Sequence, residues 1–142
     1  MRKGFSTPIT ETVTLTRGDE TLVFVLAAVP PGFSTSLEGL IPSAVYIRDK
    51  RTDLVGAELS ERNELRAYAL LAKSLEADGC IDARMPSDSR VPEQWLAFAG
   101  AVRQELIAAN LTEGEVRALL AAALRVSQSK SILKEAEEAA KN

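Results

Sequence analysis

The residue that does most proton-transfer chemistry near neutral pH is missing. Among 142 residues there is no histidine. Ser-His-Asp and Cys-His devices are therefore excluded, as is a zinc site of the usual Cys/His kind. Ser131 and Lys134 stand at the Ser-x-x-Lys spacing that serves a nucleophile in some acyl-transfer enzymes. They sit in a polar stretch without the accompanying motifs, and chance spacing is the simpler reading. Cys80 is the single cysteine, which rules out an internal disulfide. Its one nearby cation in sequence is Arg84, too little to argue for a reactive thiolate. Glu76, Asp78 and Asp82 gather in "EADGCID". They lack the ligand ladder of a calcium loop and read as a helix end plus a solvated turn. "GFSTSLEG" has two glycines but no lysine, so it is a loop and not a phosphate-binding one. Arg48, Lys50 and Arg51, interrupted by Asp49 and Asp53, read as a solvated strand end. Carboxylates are plentiful, yet no pair can be singled out. No catalytic, cofactor or metal site is assigned, and the chain is read as a non-enzyme.

The elements come next. In "ETVTLTRGDETLVFVLAAVP", Val13 and Leu15 alternate with Thr12, Thr14 and Thr16, the period of two that marks a half-buried strand. "RGDE" supplies a turn in which Gly18 can take positive φ. The second strand is apolar on both faces and is expected to be central or covered on both sides. "PPGFSTSLEGLIP" reads as a loop, "SAVYIRD" as a third strand, and "KRTDLVG" as the way out of it. After Gly56 the period changes to that of a helix. Ser60 is the expected cap of a first helix to about Asp78, with Gly79 ending it. Pro92 opens a second helix to about Ala109, with Trp95, Phe98, Ala99, Val102 and Leu106 as its buried stripe. Asn110 can cap its end. Thr112 and Glu115 have capping-box spacing and open a third helix to about Val126. The expected fold is α+β: a small antiparallel sheet of about three strands in 1–57, a three-helix module in 58–127, and a polar tail in 128–142, all in one domain.

Composition narrows the partners. The net charge of -3 gives no general attraction to nucleic-acid phosphates, and no apolar run approaches the ~18 residues of a membrane span. "MRKGFSTPIT" is basic without an apolar core, so no secretory signal is expected. Two residues of the second helix, Leu96 and Ile107, lie off its main stripe, as Leu70 does in the first. Gly100 lies near them and would let another backbone approach closely. These three apolar side chains either pack within the helical layer or face another chain, and they are the candidate partner-binding residues.

The stretches "ELRAYALLAKSL", "MPSDSRVPEQWLAFAGAVRQEL" and "LTEGEVRALLAAALRVS", within residues 61–127, resemble the tail assembly chaperones of long-tailed, lambda-like bacteriophages. The likeness lies in patterns of residue type. A helix of small and apolar residues leads to a polar loop and a longer helix, and a Leu/Thr break precedes a last apolar helix. The first 57 or so residues form a longer strand-rich segment than the lambda-like members carry. The resemblance implies a protein of the infected bacterial cytoplasm, absent from the mature virion. It would coat the tape measure protein, keep it soluble and help bring tail tube protein to it, with homo-oligomer formation as a further expectation. A different phage structural or connector protein, or a host-directed inhibitor, remain the alternatives.

Overall fold

The computed structural model describes residues 3–128; most of the expected polar tail, with the Ser131 and Lys134 pair, lies outside them. The first hairpin forms as its alternation requires. Strand β1 (Thr10–Arg17) pairs antiparallel with β2 (Glu20–Ala27), Val13 opposite Phe24 and Leu15 opposite Leu22, and Gly18 makes the turn at φ 60. Only one face is covered. Phe24 and Leu26 are buried, whereas Val23 is 56% exposed, so β2 is neither central nor covered on both sides.

Two expectations of the N-terminal half need correction. "PPGFSTSLEGLIP" is not all loop: it contains helix α1 (Phe33–Leu40). Gly32, at φ 83, turns the chain into it. Phe33, Leu37 and Ile41 then recur every four residues, a helical spacing that the intervening Ser, Thr and Gly disguise. Leu37 and Ile41 are buried. The expected third strand does not extend the first sheet either. Strand β3 (Ala44–Ile47) pairs with β4 (Lys50–Asp53) in a hairpin of its own. Its turn residues Arg48 and Asp49 sit at φ 51 and 65, positions where Asn-Gly is the usual signal. The protein is therefore α+β with two two-stranded sheets and four helices among the described residues, rather than one three-stranded sheet and three helices.

Helix α2 (Ala57–Ser74) begins earlier than expected. Gly56 is its N-cap, at φ 65, and Ser60 lies in its first turns, donating its backbone N–H to Gly56. Beyond Ser74 the chain turns, and Gly79, at φ 75, donates to the Leu75 carbonyl. Helix α3 (Pro92–Ala108) has Pro92 at its first position. All five residues of its expected stripe are buried. Trp95 meets Phe33 and Phe98 edge-on, with centroids 6.4 and 6.0 Å away, and its indole N–H donates to the Ser89 carbonyl at 2.9 Å. At the end of α3, Asn110 takes φ 60 and Leu111 N–H returns to the Leu106 carbonyl, the double closure that a left-handed residue permits. Helix α4 (Glu113–Ser127) opens on a complete Thr112–Glu115 capping box.

Helix α2 is the hub. It packs on α1, α3 and α4, while α4 also lies across β1 and β2. Ala69, Ala72, Ala99, Ala122 and Ala123 are buried, and such small side chains let helix axes come close. The hairpin is clasped at both ends of α4: Arg125 holds Glu11 at 2.6 Å, and Arg17 pairs with Glu115 while also donating to the Asn110 carbonyl at 2.9 Å.

Glu115 thus serves the cap and the clasp together. The Thr112 backbone N–H first, and Arg17 with it, hold its carboxyl below the ordinary carboxylate range. A lowered folded-state value means that this contribution is whole above the unfolded value and is lost as pH falls through the folded one. Glu115→Gln keeps the capping geometry but not the charge. The melting temperature of the wild type should exceed that of Glu115→Gln at about pH 7, and the gap should narrow as pH falls below the usual carboxylate range. A gap that does not change with pH would contradict the assignment.

Candidate partner groove

The residues that looked chemically suggestive do not converge. Glu76 pairs with Lys73 at 2.8 Å. Asp78 accepts the Val25 backbone N–H at 2.8 Å, and the Asp82 backbone N–H donates to Glu105 at 2.7 Å. Among the described residues no cluster of three His, Cys, Asp or Glu side chains could hold a metal ion. Cys80 is exposed, but burial of its sulfur against neighbouring groups and the adjoining Asp78 carboxylate push its thiol up to about 12. It is a protonated thiol at neutral pH, the opposite of what a nucleophile needs. Arg51 pairs with Asp53 at 2.8 Å on the exposed β3–β4 hairpin. No helix among the described residues is long and apolar enough to cross a membrane.

A concavity lies where α3 and α4 lean on α2. It is a groove of about 680 Å³ with Leu71, Leu106, Leu111, Val116 and Leu120 in its apolar lining and Ile107 at its side. The rim is charged, and its charges are paired. Arg103 bridges Glu61 at 2.9 Å and reaches Glu64 at 3.8 Å, and Arg117 holds Glu113 at 2.6 Å. The Tyr68 hydroxyl donates to Glu64 at 3.1 Å, and partial burial, then Glu64, raise its pKa above the ordinary phenol value. The groove therefore offers apolar contact on its floor and no unpaired charge at these rim positions. It can desolvate an apolar helix face.

The three candidate partner-binding residues separate. Ile107 is 57% exposed and lines the groove. Leu70 and Leu96 are half-buried and pack against the core, and neither lines the groove. The reading of sequence did not single out Tyr68, Leu71, Leu111, Val116 and Leu120 as lining residues. The signal was the width of the apolar arc on α4. Val116 and Leu120 flank Leu119 and Ala123, more apolar surface than α2 alone can cover. Comparison with protein-family models, with curated proteins and with solved structures finds no match to this chain.

Neighbouring positions on α3 provide a test of the groove wall. Leu106 is 4% exposed, so Leu106→Ala should cost about 2–5 kcal/mol of folding stability. Ile107→Ser, one residue on, should change it by no more than about 0.5 kcal/mol. Urea denaturation checks both, and an Ile107→Ser loss comparable to that of Leu106→Ala would place Ile107 in the core.

Proposed function

We propose that this protein is a non-catalytic binding protein whose α2–α3–α4 groove takes the apolar face of a partner helix. Following the resemblance of residues 61–127, we propose that it is a bacteriophage tail assembly chaperone and that the helix belongs to a tape measure protein. It would keep that protein soluble in the infected bacterial cytoplasm, help bring tail tube protein to it, and leave before the virion is complete. The observation that carries the reading is the groove itself, with its apolar lining between three helices and its salt-bridged rim. That surface suits helix-in-groove recognition, in which side chains at helical spacing anchor an amphipathic segment. One copy would bury a modest area. Many copies along one long filament would gain through effective concentration rather than single-site affinity.

Co-expression with a tape measure protein is the test. The wild type is expected to keep its partner in the soluble fraction. Ile107→Asp places an unpaired charge where the partner would desolvate it, at a cost of about 2 kcal/mol or more, roughly 30-fold in affinity. Because Ile107 is exposed, the variant should keep its melting temperature while its partner precipitates. A folded Ile107→Asp variant that still keeps the partner soluble would reject the groove as the site. A wild type that travels into mature particles would instead favour a connector role.

A further inference from the structure

The two edges of the β1–β2 hairpin are treated differently. Along β2, Asp78 accepts the outward Val25 N–H at 2.8 Å, and the Ser74 hydroxyl donates to the outward Ala27 carbonyl at 2.8 Å. The second half of that edge is closed by the end of α2 and the turn after it. Along β1 nothing comparable occurs. Ala28 N–H donates to the Ile9 carbonyl, so by the antiparallel alternation the odd-numbered residues of β1 bond to β2 and the even-numbered ones face away. The outward groups therefore belong to Thr10, Thr12, Thr14 and Thr16. Among the described residues no third strand pairs with them and no side chain bonds to them. The strand is eight residues long with an uninterrupted register. It has no proline, no lysine and no bulge, and its two charged residues, Glu11 and Arg17, stand towards its ends.

We infer that the β1 edge pairs antiparallel with the β1 edge of a second copy of this chain, about a two-fold axis at Thr14, giving one four-stranded sheet in the order β2-β1-β1-β2. The register follows from the residues. Opposed side chains share a face, and the outward-facing residues must pair with one another. Centring on Thr14 satisfies both conditions: Thr14 meets Thr14, Thr12 meets Thr16, Val13 meets Leu15, and Glu11 meets Arg17. Every pair is matched in kind, threonine on the open face, apolar on the inner face, and opposite charges at its ends. Shifting the centre to Val13 also keeps the backbone pattern, but sets Glu11 against Leu15 and leaves Arg17 without its acid. Arg125 already holds Glu11, and Glu115 already holds Arg17. The paired copies would thus carry two rows of alternating charge, each running from Arg125 through Glu11 to the other copy's Arg17 and Glu115.

The helical layer has room for this. Helix α4 packs on both β1 and β2, so its axis lies over the hairpin. With strands about 4.8 Å apart, the two α4 axes would stand about 9–10 Å apart across the two-fold axis, an ordinary helix-packing distance. Ala118 and Ala121, both exposed, fall on the same flank of α4 as Arg125, the residue that reaches Glu11. Small side chains there permit the approach. None of the edge residues lines the α2–α3–α4 groove, so this contact is independent of the proposed partner site.

The experiment uses the full chain. Sedimentation equilibrium across the micromolar range is expected to reach twice the monomer mass. Thr14→Pro removes the central outward N–H while sparing the bonds to β2, so it should stay folded by circular dichroism and sediment as a monomer. In a Cys80→Ser background, Thr14→Cys should form a disulfide-linked dimer on mild oxidation, because that residue faces its own copy within disulfide reach. Thr12→Cys should not, because it faces Thr16. A wild type that is monomeric throughout overturns the proposal. So does a folded Thr14→Pro that remains dimeric, or cross-linking by Thr12→Cys in place of Thr14→Cys. Should Thr14→Pro fail to fold, the mass of the wild type and the two cysteine variants decide the matter alone.

Discussion

A two-stranded hairpin is at best marginally stable in water, because it has one apolar face and nothing of its own to bury it against. This protein has two such hairpins, and its architecture answers that constraint. The inner face of β1–β2 carries Phe24 and Leu26 into the core formed by α2, α3 and α4. Polar clasps then fix the hairpin in place. Ser74 and Asp78 hold the β2 edge, Arg125 and Glu115 hold the two ends of β1, and Ser127 accepts the Val29 backbone N–H at 3.0 Å. The segment that leads into the second hairpin is held by α2: Arg66 donates to the Ile41 carbonyl at 2.7 Å and to the Ser43 hydroxyl, and Arg62 to the Pro42 carbonyl at 3.0 Å. Buried apolar contact provides the stabilisation, and side-chain hydrogen bonds from the helices set where each hairpin sits.

The groove is a consequence of that arrangement. Helix α4 is drawn over the hairpin by its clasps at Glu11 and Arg17, while α3 is drawn to α1 and the far side of α2 through Trp95, Phe33 and Phe98. Two helices pulled to different neighbours leave an apolar valley above the third. Its accessible apolar surface comes from Ile107 and the half-buried Leu111, Val116 and Leu120. The core and the groove thus draw on the same helix faces, with Leu71 and Leu106 buried in the core while contributing to the groove lining.

Local chemistry made much of this legible. Pro92, Asn110, Thr112 with Glu115, and Gly18 each perform the backbone role that their type and position imply, and the α3 stripe is buried throughout. The departures have separate physical causes. Helix α1 escaped notice because Phe33, Leu37 and Ile41 are separated by residues with turn chemistry, so local composition outweighed a period that only tertiary burial rewards. The β3–β4 turn rests on Arg48 and Asp49 in left-handed backbone, which neither residue type announces. Ser60 was passed over as a cap because Gly56 had already turned the chain. For the candidate site, one of three residues lines the groove. Leu70 and Leu96 lie off the main stripes, but a helix with neighbours on more than one side has no single buried stripe, and both residues meet the core.

The central claim is that the α2–α3–α4 groove receives a partner helix. Nuclear magnetic resonance of the labelled full chain, titrated with an amphipathic helical peptide from a tape measure protein, tests it most directly. The account predicts amide shifts concentrated at Tyr68, Leu71, Ile107, Leu111, Val116 and Leu120, with β3 and β4 unmoved. Saturable binding whose shifts fall instead on the hairpins, leaving those six positions unchanged, would contradict it.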